Sequence, residues 1–146
     1  EAVKTAGYDS LGAAKEDGVA FVFMGHGTSH TAKVSYSQMQ TQMNELGYEN
    51  VFIGTVEGEP EETSCESVID AVEKAGYKKV VLRPLMVVAG DHANNDMAGD
   101  EEGSWKTTFE DAGYDVTCLV RGLGELPAIQ DIFVKHAQAA IDKLNK

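Results

Sequence analysis

The chain has 146 residues, with 12 Lys and Arg against 24 Asp and Glu, a formal net charge of −12, and 42% apolar residues. That length suits one domain with its own core, and the composition is that of a globular chain, not a disordered one. Strong acidity argues against a nucleic-acid or anionic-membrane partner, because both need a basic footprint, and no apolar run approaches the roughly 20 residues that span a bilayer.

In chain order, residues 1–18 read as the remnant of a preceding helix and a linker. Glu1–Ala6 resembles a helix end, and no Met opens the chain, so a processed, trimmed or partial sequence is expected. Residues 19–146 read as one α/β unit. Val19–Met24 is a nearly continuous apolar run, the pattern of a strand covered on both faces. A helix is expected over Ala32–Leu46, where Tyr36, Met39, Met43 and Leu46 step by three and four. A second strand is expected at Val51–Val56. A helix over Glu61–Ala75 follows, with Pro60 and two Glu at its first turn. The third strand spans Val80–Val88, with Pro84 expected to bend it or to mark its start. Ser104 caps a helix to Ala112 that aligns Trp105 with Phe109. Val116–Val120 is the fourth strand. Pro127–Leu144 is a helix with an apolar-leaning stripe of Ile129, Phe133, His136, Ala140 and Leu144, on which His136 is expected to pack in the core or at its rim.

One phrase punctuates this order. Ala6-Gly7-Tyr8, Leu46-Gly47-Tyr48, Ala75-Gly76-Tyr77 and Ala112-Gly113-Tyr114 each close a helix-like stretch. Gly is the preferred left-handed residue just past a helix end. Four strand–helix alternations imply a four-stranded parallel sheet flanked by helices, joined by right-handed crossovers. So small a sheet wants a neighbour, either a homo-oligomer partner or a second half.

Ligands of such sheets bind beyond the carboxyl ends of the strands. The loops there carry His26 and His30 after the first strand, Glu57 after the second, and Asp91, His92 and Asp96 after the third. Two imidazoles and a carboxylate on one rim make a set of ligands suited to a first-row divalent metal. Neutral His can also accept a proton near pH 7. Taken singly, His26 reads as a residue bonding its own loop backbone and His92 as a partner of Asp96 or Asn95. Together with Glu57 they read as a site. His30 either orients His26, meets substrate or opens the next helix. Asp91 and Asp96 either orient His92 or cap the following segment. Cys65 and Cys118 lack CxxC spacing and read as two partly buried thiols. Gly122-Leu123-Gly124 is too short for a dinucleotide fingerprint and reads as a tight turn into the last helix.

At these loops the sequence resembles a known family. Phe23-Met24-Gly25-His26-Gly27-Thr28-Ser29-His30 and the long run Pro84-Leu85-Met86-Val87-Val88-Ala89-Gly90-Asp91-His92-Ala93-Asn94-Asn95-Asp96-Met97 are similar to those of the anaerobic cobalt chelatases. Ser104-Trp105-Lys106 and Gly122-Leu123-Gly124-Glu125 fit the same family, and the similarity runs from about Val19 to the end. The resemblance implies a three-layer, flavodoxin-like lobe of the class II chelatases. It implies insertion of Co²⁺, with Fe²⁺ or Ni²⁺ as alternatives, into the reduced tetrapyrrole sirohydrochlorin in anaerobic cobalamin synthesis. No organic cofactor is expected. The family's metal-site residues correspond to His26, Glu57 and His92, and Gly25, Met86, Gly90, Met97 and Leu123 would line the substrate wall. Long members pair two such lobes in one chain, and this sequence resembles the C-terminal one. Short members pair two single lobes. A missing N-terminal lobe or a second copy is therefore the expected partner, and the cytoplasm the expected compartment. The alternative is a non-catalytic module that binds metal or tetrapyrrole. Polycarboxylate substrate and acidic protein repel, so local cations are expected near the rim, with Arg121, Lys106, Arg83 and Lys33 as candidates, or donors from the other lobe.

Overall fold

In the computed structural model, which describes residues 1–145, four strands form one parallel sheet: β1 (Val19–Gly25), β2 (Val51–Thr55), β3 (Lys79–Pro84) and β4 (Asp115–Cys118). Their order is β2-β1-β3-β4, so β1 and β3 are central. Phe23 of β1 sits between Ile53 of β2 and Arg83 of β3. The near-continuous apolar sequence of the central strands follows from burial on both faces. The third strand is shorter than its apolar run. It ends at Pro84, which lacks the N–H that would continue a ladder, and Leu85–Gly90 become rim loop instead.

One face of the sheet is covered by α3 (Cys65–Lys74) and α4 (Trp105–Asp111). Val68, Val72, Trp105 and Phe109 pack there on Val22, Met24, Phe52 and Leu82. Gly54 makes room for this, since a Cβ at that position would lie 2.9 Å from Trp105 Cζ3. Ser64 and Ser104 start the two helices by accepting the N–H of Ser67 and Thr107, at 3.2 and 3.1 Å.

The opposite face carries less. A short helix that the sequence reading did not anticipate, α1 (Leu11–Glu16), packs Ala14 with Phe21 and Val81. The segment before Val19 is thus part of this packing and not only a linker. Next comes α2 (Val34–Glu45), which lies along β2 after a 3₁₀ turn at Thr31–Lys33. Its Gln40 donates to Val51 O at 2.9 Å and accepts from Ile53 N at 2.8 Å, covering free backbone groups of the edge strand.

The last helix, α5 (Pro127–Leu144), has the expected range but not the expected packing. None of its residues is buried, and Phe133 and Leu144 are 56% and 86% exposed. Its apolar stripe faces outward, so His136 is an exposed residue and not a core one. The helix ends are as expected: Gly7, Gly47, Gly76 and Gly113 have φ of 89°, 79°, 83° and 87°. Among the described residues no helix is long and apolar enough to cross a membrane.

Candidate active site

The strand order places a switch point between β1 and β3. The chain leaves β1 for β2 on one side, then returns to β3 on the other, which opens a crevice at the carboxyl ends of the two central strands. His26 follows β1 and His92 follows β3. Their rings meet there, with centroids 4.6 Å apart and planes at 80°.

The loop after β1 holds His26 through its backbone. His26 Nδ1 donates to Gly27 O at 3.0 Å. Gly27 has φ +92°, and a Cβ there would lie 2.8 Å from Glu57 Cβ and 3.1 Å from Thr55 Cβ, so only glycine fits. Its N–H donates to the Tyr36 hydroxyl at 3.1 Å. Gly25 was expected to admit ligand. It is buried, and a Cβ on it would lie 2.5 Å from Tyr36 Cε1, so Tyr36 fills that space instead. Tyr36 is a support that sequence reasoning took for a helix-face residue only.

A side chain holds His92. Residues His92–Met97 form a π-helical turn, a geometry common at functional sites. Within it His92 Nδ1 donates to Asp96 Oδ2 at 2.6 Å. A carbonyl and a carboxylate only accept, so Nδ1 carries the proton in both rings. In the neutral form of each imidazole Nε2 then keeps its lone pair for a metal or a proton. The bland pairings foreseen for each His are both present. They orient the two rings and leave the reactive nitrogens free.

The other expected residues divide. Glu57 sits beside the pair, with its backbone N–H donating to His26 O at 3.0 Å and its side chain exposed. Among the described residues, no three His, Cys, Asp or Glu side chains converge as a metal-holding group. Glu57 therefore does not close a three-ligand set with the two His in this arrangement. His30 opens the next helical segment: its Nδ1 accepts from Ala32 N at 3.1 Å, and it does not orient His26. Asp91 is exposed at the start of the π turn and does not cap it. Met97 is fully buried in the core and is not a wall residue. Met86 is half-buried against that core, Leu123 is half-buried, and Gly90 is exposed.

The four expected rim cations all have partners, Arg83 through Nη1 alone, its buried Nε and Nη2 having none among the described residues. Lys33 pairs with Glu59 at 2.6 Å, Lys106 with Asp100 at 2.5 Å and Arg121 with Glu125 at 2.9 Å. Arg83 is fully buried and donates to Ala2 O at 3.0 Å and Thr5 Oγ1 at 2.5 Å. Burial, then the Arg121 charge, lowers its pKa from the usual guanidinium value. A cleft of about 460 Å³ borders Asp96, but Asp100, Glu101 and Glu102 line it, which suits no polycarboxylate. The thiols are free, and burial pushes Cys65 up to about 12 and raises Cys118, so both are protonated at neutral pH.

Comparison with known proteins narrows what such a rim can serve. A profile of the cobalt chelatase (CbiK) family matches residues 7–142. A sirohydrochlorin cobaltochelatase of Salmonella typhimurium is 44% identical over 121 residues, which are 83% of this chain and 44% of that protein. Sirohydrochlorin cobaltochelatase CbiKC of Nitratidesulfovibrio vulgaris is 35% identical over 135 residues, 92% of this chain and 46% of that protein. The chain spans under half the length of these curated relatives.

Proposed function

The chain belongs to the cobalt chelatase family, and from that premise we propose that it serves sirohydrochlorin cobaltochelatase activity, inserting Co²⁺ into the reduced tetrapyrrole. The observation that carries this reading is the His26–His92 pair at the switch point, with both Nε2 atoms free.

Metal insertion requires a metal held by exchangeable ligands and the loss of two pyrrole N–H protons. His26 and His92 hold the substrate Co²⁺ on one face of the macrocycle, and Fe²⁺ or Ni²⁺ suits the same donors. Glu57 joins as an oxygen ligand when its exposed side chain turns toward His26. As the metal passes to the pyrrole nitrogens it vacates both imidazoles; one released pyrrole proton goes to His26, the more exposed of the two residues, and the other to His92 or to solvent water. No organic cofactor enters this scheme.

The other wall of the cleft is a second lobe of the same kind. Two observations support it: the relatives' greater length and the outward apolar stripe of α5. With Arg83, Lys33, Lys106 and Arg121 engaged, the donors for the substrate's carboxylates come from that lobe or from the backbone N–H groups of the glycine loops. The cytoplasm is the proposed compartment. The openness of the rim favours a second reading, in which the lone lobe binds metal or tetrapyrrole without inserting one into the other.

The test is insertion followed by the absorbance of the metallated product, with His26→Ala and His92→Ala beside the unaltered protein. Loss of activity in both variants is expected. Undiminished rates in both contradict the assignment, and binding without insertion by the unaltered chain selects the second reading.

A further inference from the structure

The loop after β2 carries Glu57, whose side chain is exposed but whose backbone is fixed. Past the end of the strand, Val56 N donates to Gly25 O at 2.9 Å and Glu57 N to His26 O at 3.0 Å, so this loop runs on beside the His26 loop. Gly27 brings the two into contact, since a Cβ on it would lie 2.8 Å from Glu57 Cβ. The turn that follows Glu57 therefore decides where its carboxylate starts from.

Two buried hydroxyls hold that turn. Thr55 and Thr63 are 0% and 2% exposed, and their Oγ1 atoms lie 2.6 Å apart. Each hydroxyl has one proton, which sets the direction of the bonds. Thr63 Oγ1 donates to Pro60 O at 2.6 Å. Thr55 Oγ1 then donates to Thr63 Oγ1 and accepts the N–H of Glu59 at 3.1 Å. One relay thus runs from Glu59 N through both hydroxyls to Pro60 O and closes the turn on itself. The outer ties of this loop are weaker. Lys33 pairs with Glu59 at 2.6 Å and Ser37 donates to Glu62 Oε1 at 2.6 Å, but these groups are open to solvent, where water competes for each bond. Valine fills nearly the space of threonine and suits a strand at least as well, so packing alone does not call for a hydroxyl at Thr55.

We propose that Thr55 and Thr63 are positioning residues for the metal step. Their hydroxyl relay fixes the backbone of Glu57 beside His26, so that rotation of the Glu57 side chain alone brings its carboxylate to a divalent cation on the two imidazoles. This rests on the reading above, in which Glu57 joins the histidine pair as an oxygen ligand.

Co²⁺ affinity, read by isothermal titration calorimetry, is compared among the unaltered protein, Thr55→Val and Thr55→Ser, each with Glu57 intact and with Glu57→Ala. Thr55→Val is expected to weaken Co²⁺ binding by about tenfold, the range for losing a group that orients a ligand. Thr55→Ser is expected to bind within about threefold of the unaltered protein, because its hydroxyl makes the same bonds. With Glu57→Ala in place, Thr55→Val is expected to cost no further affinity, a coupling that a general loss of stability would not give. Thr63→Val reads the relay from its other end, with the same tenfold loss expected, and serves where Thr55→Val does not fold. Unchanged affinity in the folded valine variants, or an equal loss with and without Glu57, overturns the positioning role and leaves the chelatase reading intact. Equal binding by Glu57→Ala and the unaltered protein overturns the role of Glu57 along with it. Absence of Co²⁺ binding by the unaltered protein overturns the chelatase reading as well.

Discussion

His26 and His92 share one crevice and are held there by different means. The His26 loop is set by backbone: a carbonyl accepts its Nδ1–H, a glycine at φ +92° turns the chain, and Tyr36 accepts the glycine's N–H. His92 is set by a carboxylate one π-helical step away. The first loop is therefore most sensitive where its backbone needs glycine, at Gly25 and Gly27, while the second can be detuned by one side chain. Folding determines where His26 points, and the Asp96 side chain determines where His92 points.

The sharpest way to break this contrast is Gly27→Ala. A methyl group there meets Thr55 and Glu57, and the backbone is left in a region that L-residues avoid. A loss of roughly 2–4 kcal/mol in urea unfolding is expected. A loss below about 0.5 kcal/mol, the ordinary range for surface changes, would contradict a backbone-set loop. Next is Asp96→Asn, which keeps the shape of the residue and removes its charge. Co²⁺ affinity should fall by about tenfold with unfolding unchanged. Equal affinity would mean that His92 needs no orienting partner. The smallest effect is expected from Tyr36→Phe, which leaves the Gly27 N–H without its acceptor at a cost of about 1 kcal/mol. Co²⁺ affinity should change less than in Asp96→Asn, because His26 keeps its own carbonyl partner.

Much of this was legible in the sequence where a local rule decides the outcome. Apolar runs gave the four strands, Ser104 behaves as the expected cap, and glycines ended the helices, whereas α3 starts at Cys65 behind the cap Ser64 and not at the expected Pro60–Glu62 turn. The rim histidines followed from their place just past two apolar strands, at the carboxyl edge where such sheets bind ligands. What was not legible depended on partners distant in sequence. Periodicity marks the stripe on α5 as apolar but cannot say whether this lobe or another covers it. Arg83 reads as a rim cation until the residues near the chain's start are seen to bury it. Glycine carries no sign of what fills its missing side chain, so Gly25 looked like a ligand contact and proved to be the seat of Tyr36. Met97, in an otherwise polar loop, gave no hint that the π turn would point it into the core.

The central claim is that His26 and His92 take up the metal through Nε2. It is tested most directly by titrating Co²⁺ into protein with ¹⁵N-labelled histidine and following all four imidazoles by NMR. The account predicts that the Nε2 signals of His26 and His92 are broadened or shifted first. His30, bound to Ala32 N, and His136, exposed on α5, should respond only at excess metal. A first response at His30 or His136, with His26 and His92 unmoved, would contradict it.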